Sequence, residues 1–334
     1  MYPFEYRRAR SVADALHLWS ELSQEGTVRY LAGGTTLYDL MKLGVERPGS
    51  VIDVNRIPEL AHLRLSADGL TIGSGVRMSG LAGDPAVRRA FPVISQALLL
   101  GATGQIRNMA SIGGNLLQRT RCSYFRSSAA CNKRVPGSGC SARGGMGEGH
   151  AVLGGSEHCI AAYPGDLATA LVALGAEVDL IGPAGGRSLP VAELYRLPGS
   201  SPDEEHHLEP GELITAVRVP LLPVAQTSAY TKLRPRESYA FAWASAAVAV
   251  APEPGSDRVG ECRIALGGLA TRPWRVRPAE DWLRGRPLIP ETARQAGEIA
   301  LRGAQPGRHN GFRVELGVRA VTDALLTAWG KSAW

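Results

Sequence analysis

Apolar residues recur at helical spacing over 11–22, SVADALHLWSEL, with Ser11 placed to cap the first turn. The next apolar stretch, TVRYLA at 27–32, is too short for a helix and reads as a buried strand. GGTT at 33–36 interrupts it, the helical pattern returns in LYDLMKLG at 37–44, and a second short apolar run follows in VIDV at 51–54. A strand, a glycine turn, a helix and a strand make a compact α/β unit. Farther on, LTIGSGVRMSGL at 70–81 predicts a strand leading into a helix, and FPVISQALLLGA at 91–102 a helix with one apolar face. GDLATALVALGAEVDLIG at 165–182 predicts a helix running into a strand, and the polar, proline-bearing stretch 197–212 a loop. From about Gln226 a second region begins, with strands expected at 241–251 and 262–270 and helices near 291–303 and 314–329. There is no internal repeat and no long low-complexity tract.

A chain of 334 residues has room for two or three domains. With 44% hydrophobic and 20% charged residues it has an ordinary globular composition, and its core needs no disulfide staples. The formal net charge of +6 comes from scattered arginines, which reads as a solvated basic surface. With no recognised nucleic-acid module and no apolar run of membrane-span length, neither a nucleic-acid partner nor a membrane span is expected. The N-terminus, MYPFEYRRARSVADALHLW, does not read as a signal peptide, because its arginines follow the first apolar residues and no apolar core follows them. The expectation is a soluble chain that, if exported, travels on a partner's signal.

Two glycine loops carry the first candidate chemistry. LAGGTTL at 31–37 lies between a strand and a helix, where glycine permits close backbone approach and free N–H groups favour an anion such as a pyrophosphate. It is neither the G-x-G-x-x-G nor the P-loop fingerprint, and a plain tight turn accounts for it equally well. The second loop, in QIRNMASIGGNLLQR at 105–119, combines Ser111, Gly113, Gly114 and Asn115 in the same manner.

Four of the five cysteines fall within 38 positions, spaced Cys122-x8-Cys131-x8-Cys140-x18-Cys159. Four thiolates can hold zinc or an iron–sulfur cluster, but zinc sites usually bring cysteines in close pairs, and the spacing matches neither ferredoxin pattern. The glycine-rich segment between them can wrap a cluster, with Lys133, Arg134 and Arg143 offsetting thiolate charge. Zinc, two disulfides and four unrelated thiols remain open beside it. His150 and His158 read as ordinary polar residues, and Cys262, in an apolar strand, as core.

In order along the chain, LAGGTTLYDLMK (31–42), SIGGNL (111–116), PGDLATALVALGAEVDL (164–180), KLRPRESYAFAWASAAVAV (232–250) and IALGGLATRPWR (264–275) resemble the FAD-binding subunit of the xanthine dehydrogenase family of molybdenum hydroxylases. The cysteine segment is similar to an insertion in the FAD subunits of bacterial periplasmic aldehyde oxidoreductases, which holds a [4Fe–4S] cluster. The corresponding subunit of 4-hydroxybenzoyl-CoA reductase is the alternative.

The resemblance implies an α+β chain with a two-part α/β FAD-binding domain of the vanillyl-alcohol oxidase type and a smaller α+β C-terminal domain. The parts expected are 1–57, 58–223 with the iron–sulfur insertion at about 119–160, and 224–334, similar to the CO dehydrogenase flavoprotein C-terminal domain. It implies a heterotrimer with a molybdenum-cofactor large subunit and a [2Fe–2S] small subunit, from which electrons pass through FAD to an external acceptor. Ala32, Gly33, Gly34, Thr35 and Thr36 would wrap the FAD pyrophosphate, flanked by Leu31 and Leu37, which touch the cofactor. Ser111, Gly114 and Asn115 would meet the diphosphate and ribityl side, Asp166 the adenosine end, unless it merely caps a helix, and Lys232 the flavin. Cys122, Cys131, Cys140 and Cys159 would ligate the cluster. No catalytic acid or base is expected, because the flavin performs the redox chemistry. Past Asn115 the chain enters the insertion, so contacts there depart from cluster-free relatives. Export on the small subunit's signal would make the complex periplasmic, with the cytoplasm as the alternative. A zinc-loop interaction protein without redox activity and a self-contained flavoenzyme are the competing classes.

Overall fold

The computed structural model describes residues 1–332. The N-terminal unit is β1 (Glu5–Arg8), α1 (Val12–Leu22), β2 (Val28–Leu31), α2 (Leu37–Lys42) and β3 (Ser50–Asp53). Its three strands form a parallel sheet in the order β1-β3-β2, with β3 wholly buried at the centre. Ser11 caps α1 by accepting from the Asp14 N–H, and the helix lays Ala15, Leu18 and Leu22 into the core. Because β2 is followed by α2, the loop 31–37 emerges at the carboxyl end of a parallel strand, where open α/β sheets bind ligands.

The middle unit contributes β4 (Leu63–Ser66), β5 (Gly69–Gly73), α3 (Met78–Gly83), α4 (Pro85–Ala90), α5 (Pro92–Leu99), α6 (Gly104–Met109), α7 (Ile112–Leu116), α8 (Ser141–Gly144), α9 (Asp166–Leu174), β6 (Glu177–Gly182), β7 (Gly185–Pro190), α10 (Val191–Leu194) and β8 (Leu213–Pro220). Its five strands pair antiparallel in the order β4-β5-β8-β6-β7. The C-terminal unit is β9 (Ser228–Leu233), β10 (Ala244–Pro252), β11 (Val259–Gly267), β12 (Trp274–Arg275), α11 (Arg277–Leu283), α12 (Pro290–Ala300) and α13 (Phe312–Ser332), with an antiparallel sheet ordered β12-β11-β10-β9.

The two larger units share a core through β10. Its even positions, Ala246, Val248 and Val250, pack with α12 and α13, while Ala247 and Ala249 on the other face join the core of the middle unit. A strand buried on both faces reads as a continuous apolar run, which is how ASAAVAVAP appears in the sequence. Helix α9 is likewise buried from Leu167 to Leu174 and has no polar face.

The strand expected over 241–251 begins at Ala244, and the helix expected over 91–102 is α5, preceded by a separate α4 that Asp84 caps. The patterns did not predict β1, β4, β7, β8 or β9. Strand β1 is EYRR, with no apolar face, and its place is set by backbone pairing to β3.

The insertion has little regular structure. Cys131 and Cys140 face each other in an isolated antiparallel bridge, reinforced where Asn132 Oδ1 accepts the Gly139 N–H at 2.7 Å. Beyond that pair it is tied down from outside. The Val152 and Leu153 amides donate to Leu269 O, Gln305 donates to Val152 O, and Phe125 and Cys131 pack on Leu40 of α2.

Candidate functional site

The two glycine loops lie against each other. A Cβ on Gly33 would stand 2.0 Å from Met109 O and 2.9 Å from Ala110 Cα, so only glycine lets the first loop pass the second. Gly34 has φ +73°, the left-handed turn that aims the chain into α2. Arg77 bridges the pair: it donates to Met109 O and, at 2.9 Å, to Asn55 Oδ1, while Asn55 Nδ2 donates to Ala32 O at 2.7 Å. Neither Arg77 nor Asn55 carries a motif signal, since each acts through a contact made only on folding.

A cavity opens on each side of the paired loops, and Thr35, Thr36 and Gly114 line both. The smaller, about 390 Å³, also takes in Ala32, Gly33, Gly34, Leu37 and Ser111 and runs to Glu46, Arg119 and Glu205. The larger, about 550 Å³, reaches Asn115, Asp166, Lys232 and Arg121. Leu31, expected to touch the cofactor, lines neither lobe; its side chain lies behind Gly34. Thr36 precedes α2 without making a side-chain cap bond, and Ser111 starts α7 by accepting the Gly114 N–H at 3.3 Å. Asn115 Oδ1 is buried with no partner in the chain, so the larger lobe presents an acceptor still to be satisfied.

Asp166 and Lys232 meet in one ion pair at 2.8 Å. Lys232 also donates to Leu100 O at 3.0 Å, and the Tyr230 hydroxyl donates to Asp166 Oδ1 at 2.8 Å. Asp166 is the first residue of α9, and its carboxylate accepts from Tyr230 and Lys232 in this network. Burial pushes the Asp166 carboxyl above its ordinary range, against the pull of Lys232, Tyr230 and Arg234. Residues joined at 2.8 Å cannot serve opposite ends of an extended dinucleotide, so the expected division, Asp166 at adenosine and Lys232 at flavin, does not fit this geometry. Ala102 and Tyr239, the two non-glycine residues with positive φ among those described, both line the same lobe. Strained backbone of this kind gathers at ligand sites.

The smaller lobe rests on a charged floor. Arg119 is clasped by Glu46 and Glu205, and Lys133 donates to Glu205 at 3.0 Å. This joins the N-terminal unit, the insertion and the 197–212 loop. His206, its ring 5.5 Å from Tyr195, is held neutral: burial lowers it from 6.5 to about 4, helped by Arg119 and Lys133 and opposed by Glu205. Below pH 6.5 the unfolded chain therefore binds a proton that the folded chain refuses, so stability rises with pH across this window. The expected result is a progressive loss of stability as pH falls from 6.5 toward 4, continued below by Glu205, whose carboxyl Lys133 and Arg119 hold down against its burial. Urea midpoints of the wild type and His206→Phe at pH 7 and 5 measure it, the variant losing less between the two.

All four cysteines of the insertion are free thiols, so the disulfide alternative is not realised. They border one small cavity, about 10 Å³, with Lys133 and Asn132 beside them. Burial raises the Cys122 and Cys159 thiols, the latter to about 11, and each is raised further by Cys140, while Lys133 opposes the rise at Cys159. Among the described residues, no three Cys, His, Asp or Glu side chains converge as ligands of a single metal ion. Two expectations change. Arg134 donates to the carbonyls of Tyr124, Phe125 and Ala129, and Arg143 to Ser156 O and Glu157, so Lys133 is the cation nearest this role. His150 is buried with Nε2 3.3 Å from Cys122 Sγ, whereas His158 is exposed. Cys262 is core, as expected from its strand.

Paired glycine loops with hydroxyls at their crossing and a lobe on either side make a cradle for an elongated dinucleotide, which defines a flavoprotein domain of the FAD-binding kind. Residues 2–222 match the FAD binding domain in molybdopterin dehydrogenase, and residues 228–328 the CO dehydrogenase flavoprotein C-terminal domain. The chain belongs to the FAD-binding subunits of the molybdenum hydroxylase family and is a subunit of an oxidoreductase. It is 42% identical over 332 residues to the aldehyde oxidoreductase FAD-binding subunit PaoB of Escherichia coli K12, covering 98% of this chain and 99% of that one. It is 26% identical to the glyceraldehyde dehydrogenase medium chain of Sulfolobus acidocaldarius, covering 93% of this chain and 92% of that one. The structure of a carbon monoxide dehydrogenase from Hydrogenophaga pseudoflava superposes with a TM-score of 0.76 at 27% identity, covering 99% of each chain.

Proposed function

We propose that the chain is the electron-transfer subunit of a molybdenum-containing aldehyde oxidoreductase, binding FAD and one [4Fe–4S] cluster. The two-lobed cleft crossed by Thr35, Thr36 and Gly114 carries this reading. FAD, when bound, supplies the redox chemistry. The isoalloxazine suits the larger lobe, where Lys232 and Asp166 stand together, the adenosine suits the smaller, and the pyrophosphate lies at the shared threonines, whose hydroxyls and helix-start amides favour an anion. The aldehyde as substrate class comes from the likeness to the E. coli subunit. The medium-chain relatives support large and small partner subunits, to which the proposal gives the molybdenum cofactor and the [2Fe–2S] clusters respectively.

Cys122, Cys131, Cys140 and Cys159 would hold the cluster. Their common cavity, their freedom from disulfides and the adjacent Lys133 support this. The test is iron, sulfide, zinc and flavin content of the anaerobically purified chain beside Cys131→Ser. About four irons and one FAD per chain, with iron lost in the variant, are expected. One zinc without flavin would replace this reading with a metal-stapled interaction protein.

A further inference from the structure

We propose that Arg121, supplied by the cysteine-bearing insertion, is the cation that the larger lobe offers to the flavin ring, with Phe241 held beneath it as part of the wall. The inference rests on the placement of the isoalloxazine in that lobe and assigns a residue that the glycine loops do not contain.

Three observations single out Arg121. Its guanidinium carbon lies 4.9 Å from the centre of the Phe241 ring, and both residues line the larger lobe. Its Nε is buried and donates to nothing in the chain. Its one carboxylate contact, Nη1 to Asp39 Oδ2 at 3.4 Å, is long and falls on the oxygen that Arg126 holds more closely. A guanidinium carries five donors in a fixed fork, so most of this one's capacity is unspent. One carboxylate between two arginines also leaves a positive balance at the lobe wall.

The lobe's two other cations, Lys232 and Arg236, are already committed. The Lys232 side chain is 1% exposed, and both its bonds are internal, to Asp166 and to Leu100 O. Asp166 offsets its charge. Arg236 lies at the exposed mouth and turns Nε and Nη2 onto Tyr239 O. Arg121 is thus the half-buried cation of this lobe with charge and donors to spare. The flavin ring is a set of carbonyl and ring-nitrogen acceptors that gains negative charge on reduction, which a half-buried guanidinium favours. Position follows from the insertion: Arg121 immediately precedes Cys122, whose N–H is fixed by Thr120 Oγ1 at 3.2 Å.

The experiment is an anaerobic reductive titration of the full chain in its complex, with dithionite as reductant and reference dyes. It compares wild type, Arg121→Met, Arg121→Lys and Phe241→Leu, with FAD and iron measured on each. The Met variant is expected to retain FAD and iron while its flavin potential falls by about 30 mV or more, a tenfold change in the two-electron equilibrium. The Lys variant should recover part of that shift, and Phe241→Leu, which keeps the charge, should move it by less. An unchanged potential in a Met variant that retains FAD would overturn the proposal and leave Arg121 as packing for Phe241. If the Met variant loses FAD, Arg121→Gln, which keeps hydrogen-bonding capacity but no charge, decides: a wild-type potential there overturns the proposal, and a lowered one supports it. A wild-type chain without FAD would instead refute the placement on which the proposal stands.

Discussion

Replacing Arg313 by methionine is expected to lower the stability of the C-terminal unit by about 3–4 kcal/mol and to loosen the cysteine insertion with it. Arg313 is 1% exposed and meets no carboxylate among the described residues. Its guanidinium donates instead to Trp243 O at 2.9 and 2.7 Å, and to the carbonyls of His150 and Gly268. Burial pulls it down to about 10, still well above neutral pH, so it remains a cation solvated wholly by the chain. Methionine fills most of the volume but leaves the Trp243 and Gly268 carbonyls without this donor, and His150 O with Asn310 Nδ2 alone. Each costs roughly 1–3 kcal/mol when buried and unpaired, with part of the sum recovered if water enters. One of these carbonyls belongs to His150, whose ring touches Cys122, and another to Trp243, two residues beyond Phe241. The loss should therefore appear as a lower first thermal transition, by at least about 5 °C, together with faster proteolysis between residues 120 and 160. Arg313→Lys should recover only part, because an ammonium cannot span carbonyls set around a planar fork. A Met variant within about 1 kcal/mol of wild type would mean that water replaces the guanidinium at little cost.

What the sequence revealed depended on how many residues shared one environment. Helix α1 showed itself because Ala15, Leu18 and Leu22 repeat at helical spacing on one buried face. Helix α9 and strand β10 stood out as unbroken apolar runs because each is covered on both sides, although such a run does not say which of the two it is. Strand β1 was invisible because EYRR leaves its side chains largely outside and enters the sheet through its backbone alone. The glycine loops stood out as candidate ligand loops because glycine, serine and threonine cluster there, although a plain tight turn accounted for the first equally well. Their partners did not. Asp166 and Lys232 lie 66 positions apart, and the ion pair that brings them together depends on the packing of α9 against β10 and β11, with β9 paired to β10. Arg77, Asn55 and Arg121 act through carbonyls, a ring and a cavity that exist only after folding. Charge near the cysteines was misjudged for the same reason: Arg134 and Arg143 are close in sequence but spend their donors on backbone carbonyls and, for Arg143, on Glu157 as well.

The crossing of the two loops carries the other large effect. Gly33→Ala is expected to reduce FAD affinity at least tenfold while leaving the C-terminal unit intact. The added Cβ would lie 2.0 Å from Met109 O and 2.7 Å from its carbonyl carbon, both backbone atoms that no rotamer change can remove. Met109 O is also where Arg77 donates, so the second loop cannot retreat without breaking the Arg77–Asn55 clamp and releasing Ala32 O. The loops must then part at Gly114 and the threonines, where the two lobes meet and the pyrophosphate is placed. Gly34→Ala separates this effect from simple backbone strain. At φ +73° alanine costs about 1 kcal/mol, but its Cβ would find ordinary contacts at 3.5 Å with Leu31 and 3.7 Å with Tyr38. FAD content after gel filtration, with binding of added FAD followed by flavin fluorescence, distinguishes the two. The expected order is wild type, then Gly34→Ala slightly weaker, then Gly33→Ala largely flavin-free. Equal FAD binding by Gly33→Ala and wild type would show that the loops separate without disturbing the site, and would remove the crossing from the account of how this chain holds its cofactor.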